Sequence, residues 1–269
     1  MKIAIRLSFV FAFLLLLNFT FANVWMDETF DDGIAFDASA LDIYSANTLT
    51  KPVILTQSGV VSTDKFFNAD SSYKLTAGQS IFITEPYQDQ LNGPFQYFQF
   101  AVNVGSIPSA GQMAIFRWNW TINLVNYSFF VKFVSDGSKV DIVGGEDLAG
   151  SSSQVIDTLL GTSQWRYITI QIQKNSSLEN DNRIPQTLVP HGVYFYSTST
   201  TPQFSIPLVA AAITDTAKDW SINVTSGSLY LDDMYWEGGM SNTGYEQYSN
   251  LRPLDQSIPA SATDWKLYE

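Results

Sequence analysis

Short runs of alternating or continuous apolar residues recur along the chain from residue 24 onward. They are separated by Gly, Pro, Asn, Asp and Ser, and a helical period is hard to find. That is the pattern of an all-β protein. It predicts strands at Val24–Phe30, Ala40–Ala46, Pro52–Thr56, Lys65–Phe67, Ser72–Leu75 and Ser80–Thr84. Further strands are predicted at Phe95–Val104, Gln112–Asn119, Tyr127–Val134, Lys139–Val143 and Trp165–Gln173. Gly192–Tyr196, Phe204–Leu208, Trp220–Val224 and Ser228–Trp236 complete the set. So many short strands around one core predict a two-sheet antiparallel jelly-roll β-sandwich. Gly144–Gly161 is rich in Gly and Ser, and Lys174–Gly192 is polar with two prolines. Both read as loops, the first with at most a short helix or strand at its end.

The closing strand, Gly227–Gly239, carries apolar residues at both parities. Unbroken alternation puts Leu229, Leu231 and Tyr235 on one face and Tyr230, Met234 and Trp236 on the other. A strand apolar on both faces belongs inside a sandwich. The adjacent Asp232 and Asp233 interrupt it, and at least one of these carboxylates then points toward a covered face and needs a partner.

Two other strands alternate differently. Phe98, Phe100, Val102 and Val104 share a face opposite Tyr97, Gln99 and Asn103. Ile168, Ile170 and Ile172 share a face opposite Trp165, Tyr167, Thr169 and Gln171. A face of Tyr, Gln, Asn and Thr fits an ordinary solvated sheet surface. It also fits a sugar-binding groove, in which rings stack on pyranose faces and amides bond hydroxyls. On the second reading Tyr97, Gln99, Tyr167 and Gln171 are the candidate contacts. Arg117, in the run IFRWNWT, shares a face with Ile115 and Asn119 while Trp118 and Trp120 project from the other. An Arg amid aromatics reads either as a stacked structural residue or as a fifth glycan contact.

The amino terminus changes the picture. Lys2 and Arg6 precede the apolar run Leu7–Leu17, and Thr20-Phe21-Ala22 supplies a small-x-small cleavage pattern. Residues 1–22 are expected to be a secretory signal peptide, cleaved after Ala22. The sandwich then spans 23–239 and an irregular tail spans 240–269, with no apolar anchor in it. Losing Lys2 and Arg6 leaves 12 basic against 26 acidic residues and takes the net charge from −12 to −14. Such a protein repels nucleic acid, anionic membrane and polyanionic glycans at long range, so a neutral glycan is the favoured partner. There is no cysteine, hence no disulfide and no thiol chemistry. Asn119, Asn126, Asn175 and Asn223 begin Asn-x-Ser/Thr sequons, which a chain rich in Asn, Ser and Thr produces by chance; by themselves they say nothing.

Both ends of the domain carry a resemblance. Glu28-Thr29-Phe30-Asp31-Asp32-Gly33 is similar to the "Phe-acid-acid-Gly" opening of secreted carbohydrate-binding and concanavalin-like jelly rolls. Leu229-Tyr230-Leu231-Asp232-Asp233-Met234 resembles their closing strand, and Gln164-Trp165-Arg166-Tyr167-Ile168 resembles a "Trp-x-x-hydrophobic" strand entry of the concanavalin-like group. The resemblance implies that first and last strands run close together and that their acids hold a structural Ca²⁺. Glu28, Asp31 and Asp232 would be its ligands. The other reading of these acids is that they cap turns.

Catalytic patterns are sparse. The Glu-x-Asp-x-x-Glu strand of concanavalin-like hydrolases is absent, and Glu146-Asp147 and Asp232/Asp233/Glu237 have the wrong spacing. His191, the only histidine, lies in a loop, and neither the Gln-x-His nor the Tyr-x-Lys-x-Gly strand of alginate-lyase-like enzymes occurs. There is no Gly-x-Ser-x-Gly elbow. The sequence therefore favours a secreted, non-catalytic β-sandwich that binds glycans or builds an extracellular layer. A divergent polysaccharide lyase or glycoside hydrolase using His191 and Arg117 is the alternative.

Overall fold

A computed structural model describes residues 23–36, 53–67, 70–84, 95–122, 125–147, 152–173, 192–199, 201–208 and 216–238. The segment expected to be a signal peptide, the strand expected at 40–46, His191 and the tail from residue 240 lie outside the described residues. Among the described residues every regular element is a strand: β1 (Asn23–Glu28), β2 (Val53–Gln57), β3 (Val60–Ser62), β4 (Ser72–Thr76) and β5 (Ser80–Thr84). Then come β6 (Phe95–Ser106), β7 (Gly111–Ile122), β8 (Val125–Ser135), β9 (Val140–Glu146) and β10 (Ser153–Leu159). The last are β11 (Trp165–Gln173), β12 (Gly192–Ser197), β13 (Phe204–Pro207), β14 (Thr216–Val224) and β15 (Ser228–Gly238).

These form the expected antiparallel two-sheet sandwich. Sheet A has eight strands in the order β13-β12-β11-β6-β15-β4-β3, with β1 also paired to β15. Sheet B has seven, in the order β10-β9-β8-β7-β14-β5-β2. β15 is the hub of sheet A, as its two-faced pattern predicts. β6 runs along one side of it, while β4 pairs with Ser228–Leu231 and β1 with Met234–Gly238 on the other. First and last strands do run side by side.

The core is aromatic. Phe98 and Phe100 from β6 meet Phe116 and Trp118 from β7 and Trp220 from β14, with ring centroids 4.8–6.3 Å apart. Phe98, Phe100, Phe116 and the indoles of Trp118, Trp120, Trp220 and Trp236 are fully buried. Each such phenylalanine stabilises the fold by about 2–3 kcal/mol through burial alone. At Gly144 of β9 the two sheets approach closely: a Cβ there would sit 2.9 Å from the Phe195 ring of the opposite sheet.

Two loops behave differently from expectation. The Gly/Ser-rich stretch holds a full edge strand, β10, and β9 itself runs on to Glu146. Lys65–Phe67 is no strand. It belongs to the β3–β4 connection, and the strand of that region is Val60–Ser62.

Candidate functional site

β15 carries the irregularity on which the site is built. A bulge separates Asp232 from Tyr235, and Asp233 adopts a left-handed φ of 45°. One extra residue reverses the parity of everything after it. Met234 and Trp236 thereby join Leu229 and Leu231 in the core, while Tyr230, Asp232 and Tyr235 turn to the outer face of sheet A. The Asp-Asp pair is thus the bulge itself. Asp232 Oδ1 accepts the Asp233 N–H at 2.8 Å and caps the strained residue.

The other Asp232 oxygen holds a strap. The β3–β4 connection crosses the outer face of sheet A, and the Phe67 N–H donates to Asp232 Oδ2 at 2.7 Å. The Phe67 ring lies 5.8 Å from Trp165 and 6.0 Å from Tyr167, so the strap reaches over β6 to β11. Lys65 Nζ donates to Asn103 Oδ1 at 3.1 Å and to the Thr162 carbonyl. Asn103 Nδ2 in turn donates to the Gln164 carbonyl. Burial, with Lys74 nearby, pushes the Lys65 ammonium below its ordinary pKa. Asp64 anchors the near end, accepting from Lys74 Nζ at 2.9 Å and from the Tyr230 hydroxyl at 3.3 Å.

Beneath and beside the strap lies the Tyr/Gln/Thr/Asn face. Gln99, Thr169, Gln171, Asn103 and Tyr167 are all at most 1 % exposed, so this is no solvated sheet surface. Gln99 Nε2 donates to Thr169 Oγ1 at 3.1 Å, and the Tyr196 hydroxyl donates to Gln171 Oε1 at 3.1 Å. Gln99 Oε1 is buried without a hydrogen-bond partner. Register places Tyr97 opposite Gln171 on the same face. Tyr194 and Tyr196 of β12 extend the floor, and burial raises the Tyr194 phenol. The alternation Tyr194-Phe195-Tyr196 is the signal in the sequence that places both tyrosines on one face.

Arg117 is on the other side of the molecule. It projects from the outer face of sheet B, opposite Phe130 on β8 and Ser221 on β14, so it cannot share a groove with Gln99, Tyr167 and Gln171. Its guanidinium pairs with Asp147, which Lys132 also approaches at 3.5 Å. The Lys132 ammonium sits 3.7 Å from the centre of the Phe130 ring. Next along β7, Asn119 Nδ2 donates to Asp219 Oδ1.

The carboxylates nominated for Ca²⁺ have backbone partners. Glu28, almost fully buried, accepts the Phe30 N–H at 2.8 Å on one oxygen and the Phe36 N–H on the other. Asp31 accepts the Asp70 N–H at 3.4 Å, and burial outweighs that bond to raise its pKa. Asp232 holds the strap and the bulge. Among the described residues no group of three or more His, Cys, Asp or Glu side chains could hold a metal ion, so Glu28, Asp31 and Asp232 do not come together as one cage.

Glu146 is a carboxylate of a different kind. It ends β9 opposite the core residue Phe129, its Oε2 is buried without a partner, and burial raises its pKa above 4.5. The ionised form is the penalised one, so the cost is absent below the unfolded pKa and grows as pH rises through the raised folded value. Glu146→Gln is therefore expected to raise the melting temperature at pH 7. The gain should vanish by about pH 4, where the wild-type acid is already neutral. Thermal melts of both proteins from pH 4 to 8 check this; an equal difference at all pH values would contradict it.

No protein-family model matches the chain, and no curated protein matches it. Its fold does have solved counterparts. A conserved carbohydrate esterase from a Shiga toxin-encoding bacteriophage superposes with a TM-score of 0.50 at 12% identity, over 81% of this chain and 100% of that one. Domain 4 of an extracellular arabinanase from Geobacillus stearothermophilus, solved with arabinotriose, gives 0.46 at 12% identity over 84% and 98%. The binding domain of botulinum neurotoxin serotype G gives 0.46 at 12% identity over 85% of this chain. The chain spans about half the length of the neurotoxin binding domains it matches, 50% and 52% for serotypes G and D. At 12% identity the likeness to the esterase concerns the β-sandwich fold alone.

Proposed function

We propose that the protein is a secreted, non-catalytic β-sandwich that binds a neutral glycan on the outer face of sheet A. The observation that carries this is the partnerless Gln99 Oε1, an acceptor set in a floor of tyrosine rings and amides. A buried carbonyl without a donor costs about 1–3 kcal/mol, and a sugar hydroxyl is the donor such a floor suits. Trp165 and Phe67, both only half-buried, stand at the rim where a sugar ring would enter. The strap lies over this floor, so binding moves it. An acidic surface favours uncharged sugars by weakening the approach of polyanions. Domains of this fold named for carbohydrate work, the arabinanase module among them, are consistent with the reading.

The test is a glycan array probed with residues 23–269, once with Ca²⁺ and once with chelator. Retention of a neutral polysaccharide in both conditions is expected. A blank array would remove the glycan reading and leave an extracellular structural protein. Joint loss of binding and melting temperature in chelator would reinstate Glu28, Asp31 and Asp232 as Ca²⁺ ligands.

A further inference from the structure

The outer face of sheet A has a gap in its floor. Along β6 the side chains on that face run Tyr97, Gln99, Ala101 and Asn103, and Ala101 alone of the four stops at Cβ. Ala101 pairs with Tyr167 of β11 on one side and with Asp232 of β15 on the other. Four larger side chains therefore frame it. Gln99 and Asn103 stand about 13 Å apart along β6, and Tyr167 and Asp232 about 10 Å apart across the sheet, backbone to backbone. Such a frame takes one six-membered ring, and the strap supplies one. Phe67 packs against the cluster that contains Ala101 and Tyr167, and its N–H donates to Asp232 Oδ2 at 2.7 Å.

The phenyl ring matches the socket in shape and not in chemistry. It carries no donor, and Gln99 Oε1 at the edge of the frame is left without a partner. A pyranose has the same six-membered outline with hydroxyls around its rim. One hydroxyl suits Asp232 Oδ2, where the Phe67 N–H now donates, and another suits Gln99 Oε1. The strap is also unevenly fastened. Lys65 is tied to Asn103 and to the Thr162 carbonyl, its own carbonyl accepts the Ser72 hydroxyl, and Asp64 pairs with Lys74. Phe67 rests on its bond to Asp232 and on ring contacts with Trp165 and Tyr167. We propose that the Ala101 socket is a sugar subsite and that Phe67 is its built-in occupant, displaced when a neutral pyranose enters. This rests on the glycan reading above and adds to it the place of one ring and a self-inhibited unbound state. The apparent affinity is lowered by the fraction of molecules in which Phe67 fills the socket, so a change that loosens Phe67 strengthens binding.

The experiment is calorimetric titration of wild type, Phe67→Ala and the double variant Phe67→Ala/Ala101→Leu with cellotetraose, xylotetraose, mannotetraose and maltotetraose. Phe67→Ala is expected to bind at least one of them about tenfold more tightly than wild type, the gain if about nine in ten wild-type molecules hold the socket closed. The double variant, its socket filled by leucine, is expected to lose that binding; retention there would overturn the socket. Equal or weaker binding by Phe67→Ala would make Phe67 an ordinary contact and overturn the displacement, while leaving the glycan reading in place. No binding of any of these sugars by wild type or by Phe67→Ala would overturn both. A second measurement needs no variant. Trypsin cleavage of wild type after Lys65 is expected to speed up when the bound tetrasaccharide is added. Slower cleavage, the mark of a strap clamped over the sugar, would contradict displacement.

Discussion

Glu28→Ala is expected to lower the free energy of unfolding by about 4 kcal/mol, the order of loss when two buried amides lose a charged acceptor. Glu28 stitches the turn after β1, with one oxygen on the Phe30 N–H and the other on the Phe36 N–H. Both phenylalanines hold a left-handed backbone, φ 60° and 54°, which costs on the order of 1 kcal/mol or more for each. The strain is tolerated because both rings reach the core: Phe30 stacks on Tyr73 at 5.3 Å, and Phe36 meets Phe30 edge-on at 5.4 Å. Removing the carboxylate leaves both amides without their acceptor in a turn that is already strained. Against a typical stability of about 5–15 kcal/mol, that loss places the variant near unfolding at physiological temperature. Chemical denaturation in Ca²⁺ and in chelator should give the same loss. A loss seen only with Ca²⁺ present would make Glu28 a metal ligand.

Asp232→Ala is expected to cost about 3–5 kcal/mol and to free the strap, because two N–H groups, one buried and one partly buried, lose their acceptor together. One is the Phe67 N–H and the other the Asp233 N–H at the bulge. Loss of the first detaches the strap from β15. Loss of the second uncaps a left-handed aspartate. The two effects are separable: denaturation reports the sum, while trypsin cleavage after Lys65 in the folded protein reports the strap alone. Faster cleavage in the variant is expected. Unchanged cleavage with an unchanged midpoint would show that Asp232 holds neither element.

Much of this architecture was legible from the chain. The alternation in Phe95–Val104 and Trp165–Gln173 identifies the core face of sheet A, because period-two patterning is a local property. The two-faced Ser228–Gly238 strand identifies the hub. What failed depended on features that alternation does not encode. The bulge at Asp232–Asp233 reversed the faces of Met234, Tyr235 and Trp236, and two adjacent acids do not announce a bulge in advance. The polar residues of β6 and β11 were expected to meet water or ligand at an open surface. Their burial arises from long-range packing, part of it by the Lys65–Phe67 strap, whose apolar residues imitate a short strand. Side-chain chemistry alone groups Arg117 with the sheet A residues, and only strand order shows that it belongs to the opposite sheet. Asp31 and Asp232 each accept an amide of the β3–β4 connection, those of Asp70 and Phe67, while Glu28 accepts the amides of Phe30 and Phe36 in the turn after β1.

The central claim is that ligand meets the outer face of sheet A, and calorimetric titration of the best array glycan into three proteins tests it most directly. Wild type, Trp165→Ala and Arg117→Ala differ at the rim of sheet A and at the centre of sheet B. The account predicts at least about a tenfold weaker affinity for Trp165→Ala, equivalent to about 1.4 kcal/mol, and wild-type affinity for Arg117→Ala. Weakened binding by Arg117→Ala with none lost in Trp165→Ala would contradict it and move the site to sheet B.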